Sequence, residues 1–214
     1  IKSKLTSWQK VRIIDFVCDQ VDRKGGAYAS VANTIYVDET WFYVMADGVR
    51  VRVFLYEDDS DLPGSPTVQH KSHIPKTMII AANAHSDSAH SFDGKLGVWH
   101  MCAPKTADRT SKNHKKGDVY EQDCTLDHLW YKKWYTEELL PAIKTKMPWL
   151  QGKHVFVQQG SATPHMGKGD SEIISGAGKT EGWSIRLVTQ PSNSPDLNMM
   201  DLCFFRSLKC RVMG

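Results

Sequence analysis

Two acidic residues interrupt a segment whose other residues are typical of a β-strand. Residues 35–42 read Ile-Tyr-Val-Asp-Glu-Thr-Trp-Phe, so Asp38 and Glu39 lie among β-branched and aromatic side chains. An unpaired carboxylate buried in a strand is costly. Either one of the two faces solvent and the other ends the strand, or a rigid strand presents a carboxylate to a metal ion. The residues alone leave both interpretations open.

Further polar residues that could do chemistry lie in the last third of the chain. Asp196 is close to the expected start of a helix, where the helix dipole stabilises a carboxylate and gives the residue a structural role. Asp201 lies further along, between apolar residues, where capping does not explain it. His165 follows an apolar segment, and a lone histidine in that position is more often structural than catalytic.

Positive charge is concentrated in one short segment, residues 105–116. Only Asp108 opposes its five cations, which are Lys105, Arg109, Lys112, Lys115 and Lys116. Such a run is usually a solvated loop, and the alternative is a loop that contacts nucleic-acid phosphates. The net charge of +3 for the whole chain decides nothing between them.

Composition restricts the class of protein. The chain has 214 residues, of which 41% are hydrophobic, enough for one domain with a sizeable core. No apolar run approaches the roughly 18–20 residues of a membrane span, and no signal peptide is visible. Five cysteines without a CxxC pair suggest neither a zinc site nor a disulfide framework, and predict reduced thiols inside a cell. Because Ile1 is not a methionine, we expect a fragment of a longer protein.

The first half of the chain is expected to form one helix and several strands. Ser7 can cap a helix that runs to about Val21, with apolar residues at spacings of three and four. Strands are predicted over 34–43 and 49–56, joined by the Asp47-Gly48 turn. After an acidic, proline-containing loop, two more strands are predicted, over 76–84 and 92–102.

The second half alternates helices with strands. One amphipathic helix is predicted over 126–147, with Leu129 among its apolar positions and Pro141 kinking or dividing it. Strands over 153–159 and 184–189 follow, and Asn193-Ser194-Pro195 opens a last helix. Since strands interleaved with helices favour parallel pairing, the pattern predicts an α/β fold with a mixed central sheet.

Three strings, in order along the chain, resemble the catalytic motifs of mariner-type transposases, especially the plant-like branch. They are Val-Asp-Glu-Thr-Trp-Phe-Tyr at Val37–Tyr43, Val-Phe-Val-Gln-Gln-Gly-Ser-Ala-Thr-Pro-His at Val155–His165, and the Asn-Ser-Pro-Asp-Leu-Asn-containing segment Gln190–Phe205. Segments at 67–69, 92–99 and 111–117 also match linking segments in the family's order. The resemblance therefore covers nearly the whole chain.

The resemblance implies an RNase H-like catalytic domain over residues 34–214, preceded by a helix and linker over 1–33. Such domains use three carboxylates to hold two Mg²⁺ or Mn²⁺ ions, about 3.5–4 Å apart, for DNA strand cleavage and transfer. By motif, the first aspartate falls on Asp38 and the third on Asp201, and His165 and Asp196 accompany the motifs. The basic segment becomes a candidate DNA contact. The family's N-terminal helix-turn-helix domains are absent here, and the last helix is expected to be cut short.

The second aspartate of the motif falls on Gly160, where this sequence departs from the family. Forty residues separate Gly160 from Asp201, about the family's spacing, so the alignment of the motif is clear. Glycine offers no ligand, and a lost metal ligand costs on the order of several kcal/mol, hence several decades of rate. Ser161, Gln159 and Asp170 do not combine the required position with the required charge.

Two hypotheses from different classes follow. In the first, the chain is a transposase catalytic domain that is inactive or nearly so. In the second, it is a recruited nuclear DNA-binding or interaction module, a regulator or an effector, that keeps the fold without the chemistry. Both imply DNA as the partner, the nucleus as the compartment and no membrane, and both allow a homodimer. An unrelated α/β domain with coincidental motifs is the third interpretation.

Overall fold

The computed structural model describes residues 4–21, 31–43, 76–124, 127–161 and 170–213. Its strands are β1 (Thr34–Tyr43), β2 (Lys76–Ala84), β3 (Lys95–His100), β4 (Cys102–Thr106), β5 (Val119–Asp123), β6 (His154–Gln159) and β7 (Ser184–Thr189). Its α-helices are α1 (Ser7–Asp19), α2 (His128–Trp134), α3 (Leu140–Lys146), α4 (Asp170–Ala177) and α5 (Phe205–Met213). No helix within these ranges is both long enough and apolar enough to cross a bilayer.

The central sheet is mixed, as the sequence predicts. Five strands lie in the order β3-β2-β1-β6-β7. The first three pair antiparallel, whereas β1 pairs parallel with β6 and β6 pairs parallel with β7. Because β1 is the middle strand, it is hydrogen-bonded to a neighbouring strand along each of its edges.

Helices pack on both faces of this sheet. On one face, the alternate β1 residues Ile35 and Val37 are buried in the main core with Tyr135 and Ile143 of the long helical segment. On the other face, Met200 and Phe205 near the chain's end pack against Ala81 of β2, with Tyr36 and Phe204 partly buried beside them. Because side chains alternate between the two faces of a strand, successive residues of β1 contact different helical layers.

The long helix is continuous rather than divided at Pro141. Asp127 caps it by accepting a 2.7 Å hydrogen bond from the Trp130 backbone N–H. A π-helical segment, Tyr135–Leu139, leads directly into α3. Proline has no N–H and its ring crowds the carbonyl four residues earlier, so a widened turn ahead of it lets the helix continue. Leu129 is 59% exposed, so its prediction as an apolar contact position was wrong.

The caps of the first and last helices differ from the predicted ones. Thr6, not Ser7, caps α1, through a reciprocal pair of hydrogen bonds with Gln9. Asn193-Ser194-Pro195 does not open the last helix. It leads only into a 3₁₀ turn, Pro195–Leu197, which ends at the extended residue Asn198. The Asn198 side chain then accepts the backbone N–H of Met200, where the π-helical segment before α5 begins.

A two-stranded hairpin of β4 and β5 replaces part of the predicted basic loop. It forms its own small sheet, and Lys105 lies within β4. The predicted strand over 92–102 is shorter, since β3 begins only at Lys95 and ends at His100. The predicted strand over 49–56, with its turn, lies outside the described residues.

Truncating the core side of the long helix tests this packing. Ile143 is fully buried, so Ile143→Ala should lower the free energy of unfolding by about 2–5 kcal/mol through lost burial and a cavity. The matched control is Leu129→Ala, which removes an exposed apolar side chain from the same helical segment and should change stability by less than about 0.5 kcal/mol. Urea denaturation measures both, and equal effects would contradict the packing described above.

Candidate functional site

Asp38 and Glu39 lie inside β1 and on its two opposite faces. β1 continues to Tyr43, so neither residue ends the strand, and both are partly buried. Glu39 lies on the face of the long helix, where burial first and then the Glu39 charge raise the pKa of Tyr131. Asp38 is on the other face, opposite Ala81 in the register with β2. The interpretation in which one carboxylate simply ends the strand is therefore wrong.

Asp201 faces Asp38 from the helical segment that covers this side of the sheet. It belongs to the π-helical segment Met200–Phe204, whose first residue, Met200, is fully buried against Ala81. That anchor places the Asp201 carboxyl group close to that of Asp38, whose pKa it raises. Two residues that are 163 positions apart in the sequence therefore lie side by side, as the motif order predicts.

Asn198 connects the two parts of the site, and the sequence analysis did not single it out. Its side chain is fully buried, and Nδ2 donates to the Val37 carbonyl at 3.3 Å and to Asp38 Oδ2 at 3.2 Å. Its Oδ1 accepts from the Met200 backbone N–H at 3.0 Å. The available signal was an asparagine between apolar neighbours, Leu197 and Met199, where an amide must be buried and hydrogen-bonded.

Gly160 follows directly after β6, beside the β1 strand. The parallel register pairs Tyr36 with Gln158, so continuing it by two residues along each chain would bring Asp38 level with Gly160. Since side chains alternate, position 160 shares the face of Gln158, whose amide donates to the Leu197 carbonyl at 2.7 Å on the side of Asp201. A side chain at position 160 would therefore be directed towards Asp38.

Hydrogen bonds fix the end of β6 on both faces. Gln158 also donates to Gln190 Oε1 at 3.1 Å, and the Gln190 backbone N–H donates to the Gln159 carbonyl at 2.9 Å. On the other face the Tyr131 hydroxyl donates to the Gln159 side chain. Both glutamines are buried, so they position the backbone rather than replace a missing carboxylate.

The carboxyl pair is electrostatically unfavourable without a cation. Burial, followed by the charges of Asp201 and Glu39, raises the pKa of Asp38 to about 8. A hydrogen bond of 3.0 Å from the Glu39 backbone N–H to Asp38 Oδ1 opposes this only in part. A divalent cation would relieve the repulsion, and oxygen ligands are what Mg²⁺ and Mn²⁺ prefer. The residues fit one ion between Asp38 and Asp201, whereas Gly160 offers no side-chain ligand for a second ion.

The basic segment forms the ordered end of the β4–β5 hairpin. Lys105, Arg109, Lys112, Lys115 and Lys116 are all exposed there. Backbone bonds between Ala107 and Asp118 (2.8 Å) and between Gly117 and Ala107 (2.8 Å) close the loop. The His114 ring stacks on Tyr120 with centroids 4.0 Å apart. The loop is thus a folded, cationic surface, which fits contact with phosphates.

The remaining sequence candidates lie in a turn or outside the described part of the chain. Asp196 is exposed in the 3₁₀ turn Pro195–Leu197, not at the N-terminus of the last helix, because Asn198 separates the two. His165 lies outside the described residues. Asp170 is the first residue of α4, and its side chain is likewise outside the described part.

Comparison with known proteins identifies the fold. No protein-family model and no curated protein matches the chain. Solved structures do match. The Mos1 mariner paired end complex with Mn has a TM-score of 0.65 and 18% identity, covering 99% of this chain and 51% of that chain. A pre-cleavage Mos1 transpososome has a TM-score of 0.65 and 15% identity, covering 99% and 52%.

A third structure, the Mos1 Strand Transfer Complex, aligns with a TM-score of 0.65 and 15% identity over 100% of this chain and 50% of that chain. The chain thus spans about half the length of the proteins it matches. Together with the mixed sheet and its two helical layers, these comparisons show that the chain has the RNase H-like fold seen in mariner transposases.

Proposed function

We propose that the chain is a mariner-like transposase catalytic domain that binds DNA and has lost most or all of its strand-cleaving activity because Gly160 replaces a catalytic aspartate. One observation carries the proposal: Asp201 lies close enough to Asp38 to raise the pKa of its carboxyl group, and Gly160 directly follows the strand β6, which pairs parallel with β1. The likeness in fold to DNA-bound transposase structures supports it.

Each group of residues would have a separate role in binding metal or DNA. Asp38 and Asp201 hold a divalent cation, Mg²⁺ or Mn²⁺, and Asn198 fixes the Asp38 carboxyl group by donating to Oδ2. Such an ion supplies Lewis-acid stabilisation of phosphodiester oxygens. The basic segment contacts DNA phosphates. It is far from these carboxylates in the sequence and belongs to the separate two-stranded sheet. With glycine at 160, the cleavage chemistry lacks one of its three charges.

A second candidate function is a non-catalytic DNA-binding or interaction module in the nucleus. Gly160 favours it, since phosphate contacts through the exposed loop need no catalytic metal. Assembly as a homodimer is compatible with either function. Divalent-metal-dependent DNA nicking separates the two, because only a catalytic remnant can be repaired by restoring the missing carboxylate.

Restoring that carboxylate is the direct test. Gly160→Asp should strengthen Mn²⁺ binding by about tenfold or more and should introduce Mn²⁺-dependent nicking of supercoiled DNA, because a third negative charge faces the ion next to Asp38. The matched control is Gly160→Asn, which adds the same bulk without the charge and should do neither. Robust nicking by the unmodified chain would show that another residue replaces the second aspartate, and the proposal for Gly160 would be wrong.

The carboxyl pair also predicts how stability depends on pH. The pKa of Asp38 is about 8 in the folded protein, whereas its ordinary value is 3.8. The proton on Asp38 therefore stabilises the folded state fully below pH 3.8, and this stabilisation is lost as the pH rises through about 8. Asp38→Asn should therefore raise the melting temperature by several degrees at pH 8 and much less at pH 4. Adding Mn²⁺ at pH 8 should stabilise the unmodified chain but not the variant.

The control for this measurement is Asp108→Asn, which removes an exposed carboxylate from the basic loop. It should change the melting temperature little at either pH. A pH-independent difference between Asp38→Asn and the unmodified chain would contradict the electrostatic description of the site.

The basic loop predicts salt-dependent DNA binding with little sequence preference. Replacing Lys112, Lys115 and Lys116 together by Gln should lower the slope of log affinity against log salt by up to about 2.7, since each duplex phosphate contact adds about 0.9. The control replaces three exposed lysines outside the basic segment by Gln, namely Lys10, Lys153 and Lys179. If both triple variants leave affinity and slope unchanged, the loop is an ordinary solvated surface.

A further inference from the structure

A second group of metal-binding side chains lies where the β4–β5 hairpin meets the central sheet. One ligand atom from each of His100, Cys102 and Glu121 lies within 4.8 Å of the other two. His100 ends β3, Cys102 begins β4 and Glu121 is the middle residue of β5. The cluster therefore collects an imidazole, a thiol and a carboxylate from three strands.

The register of the hairpin places the donors of β4 and β5 on one face. Cys102 pairs with Asp123, and Pro104 pairs with Glu121. Because successive side chains alternate, Cys102, Glu121 and Asp123 all lie on the same side of the ribbon. The Cys102 thiol and a Glu121 carboxylate oxygen lie within 4.8 Å of each other.

His100 is held from the other direction by a carboxylate and a hydroxyl group. Its Nε2 lies 2.6 Å from Asp123 Oδ1 and 2.6 Å from Thr77 Oγ1. The Thr77 hydroxyl in turn donates to Asp123 Oδ1 at 2.7 Å. Metal-binding histidines commonly bond a carboxylate through the ring nitrogen that does not hold the metal, so a bond from Nε2 to Asp123 would leave Nδ1 as the metal ligand.

We propose that His100, Cys102 and Glu121 form a zinc-binding site, with Asp123 as the residue that positions His100. Thiolate, imidazole and carboxylate are the donors that Zn²⁺ takes at about 2.0–2.3 Å in a tetrahedral arrangement. The thiolate selects zinc over Mg²⁺ and Mn²⁺, which prefer oxygen ligands such as those at Asp38 and Asp201.

An ion at this position would fix the hairpin against the body of the domain. His100 belongs to the central sheet, whereas Cys102 and Glu121 belong to the separate two-stranded sheet. A hydrated ion can reach it through a groove of about 250 Å³ lined by Trp99, His100, Cys102, Trp130 and other residues. The spacing of the cysteines along the chain does not indicate this site, because its ligands come together only when three strands fold side by side.

Cobalt substitution tests the proposal without relying on DNA cleavage. Titrating the unmodified chain with Co²⁺ should give a thiolate-to-cobalt charge-transfer band that saturates at one equivalent and disappears when Zn²⁺ is added. Cys102→Ser should abolish the band, and Asp123→Asn should weaken zinc affinity by about 10–100-fold. The matched control, Cys210→Ser, removes an exposed cysteine on α5 and should leave the band unchanged.

Two further variants test the zinc site even if Cys102→Ser fails to fold. Glu121→Gln changes an exposed side chain, so it should disturb folding less than a substitution at Cys102. It should also weaken zinc affinity. Asp38→Asn should leave the band unchanged, which separates this site from the carboxyl pair. Absence of a thiolate band in the unmodified chain, or a band that survives Cys102→Ser but is lost in Cys124→Ser, would overturn the assignment.

Discussion

The contact between the carboxyl groups of Asp38 and Asp201 is costly, and the surrounding structure has to maintain it. Burial and like charge both disfavour ionisation of Asp38, whose pKa is about 8. The pair persists because each residue is carried by an element that other interactions hold in place. Asp38 lies in the middle strand of the sheet, and Asp201 follows Met200, which is fully buried against Ala81.

Asn198 shows how the polar part of that support is built. It is fully buried, and its amide bonds at once to the β1 backbone, to Asp38 and to the start of the last helical segment. Gln158 makes the corresponding links from β6 to Gln190 and Leu197. The strand end at Gly160 therefore keeps its place although glycine contributes no ligand. The position of this strand end therefore does not depend on a side chain at residue 160.

Much of the fold was predictable because it depends on local patterns. The β-branched run of β1, the apolar β6 and β7, and the helical period of the segment around Ile143 all indicate their elements directly. The order of the motifs also predicted that Asp38, Gly160 and Asp201 would converge, since parallel neighbours end at the same edge of a sheet. The strands β4 and β5 could not be found this way, because most of their residues are exposed on both faces and show no alternation.

The sequence by itself determined most of the central strands and the long helix, and it placed a glycine rather than an acidic residue at position 160. Tertiary structure decided what those elements contact. Thr6 rather than Ser7 caps α1, and Leu129 faces solvent although it is apolar. Asn198 became the link between two distant segments, and His100, Cys102 and Glu121 became neighbours only through strand pairing. The physical reason is the same in each case: periodicity fixes the face on which a side chain lies, whereas its partners depend on packing between segments far apart in the chain.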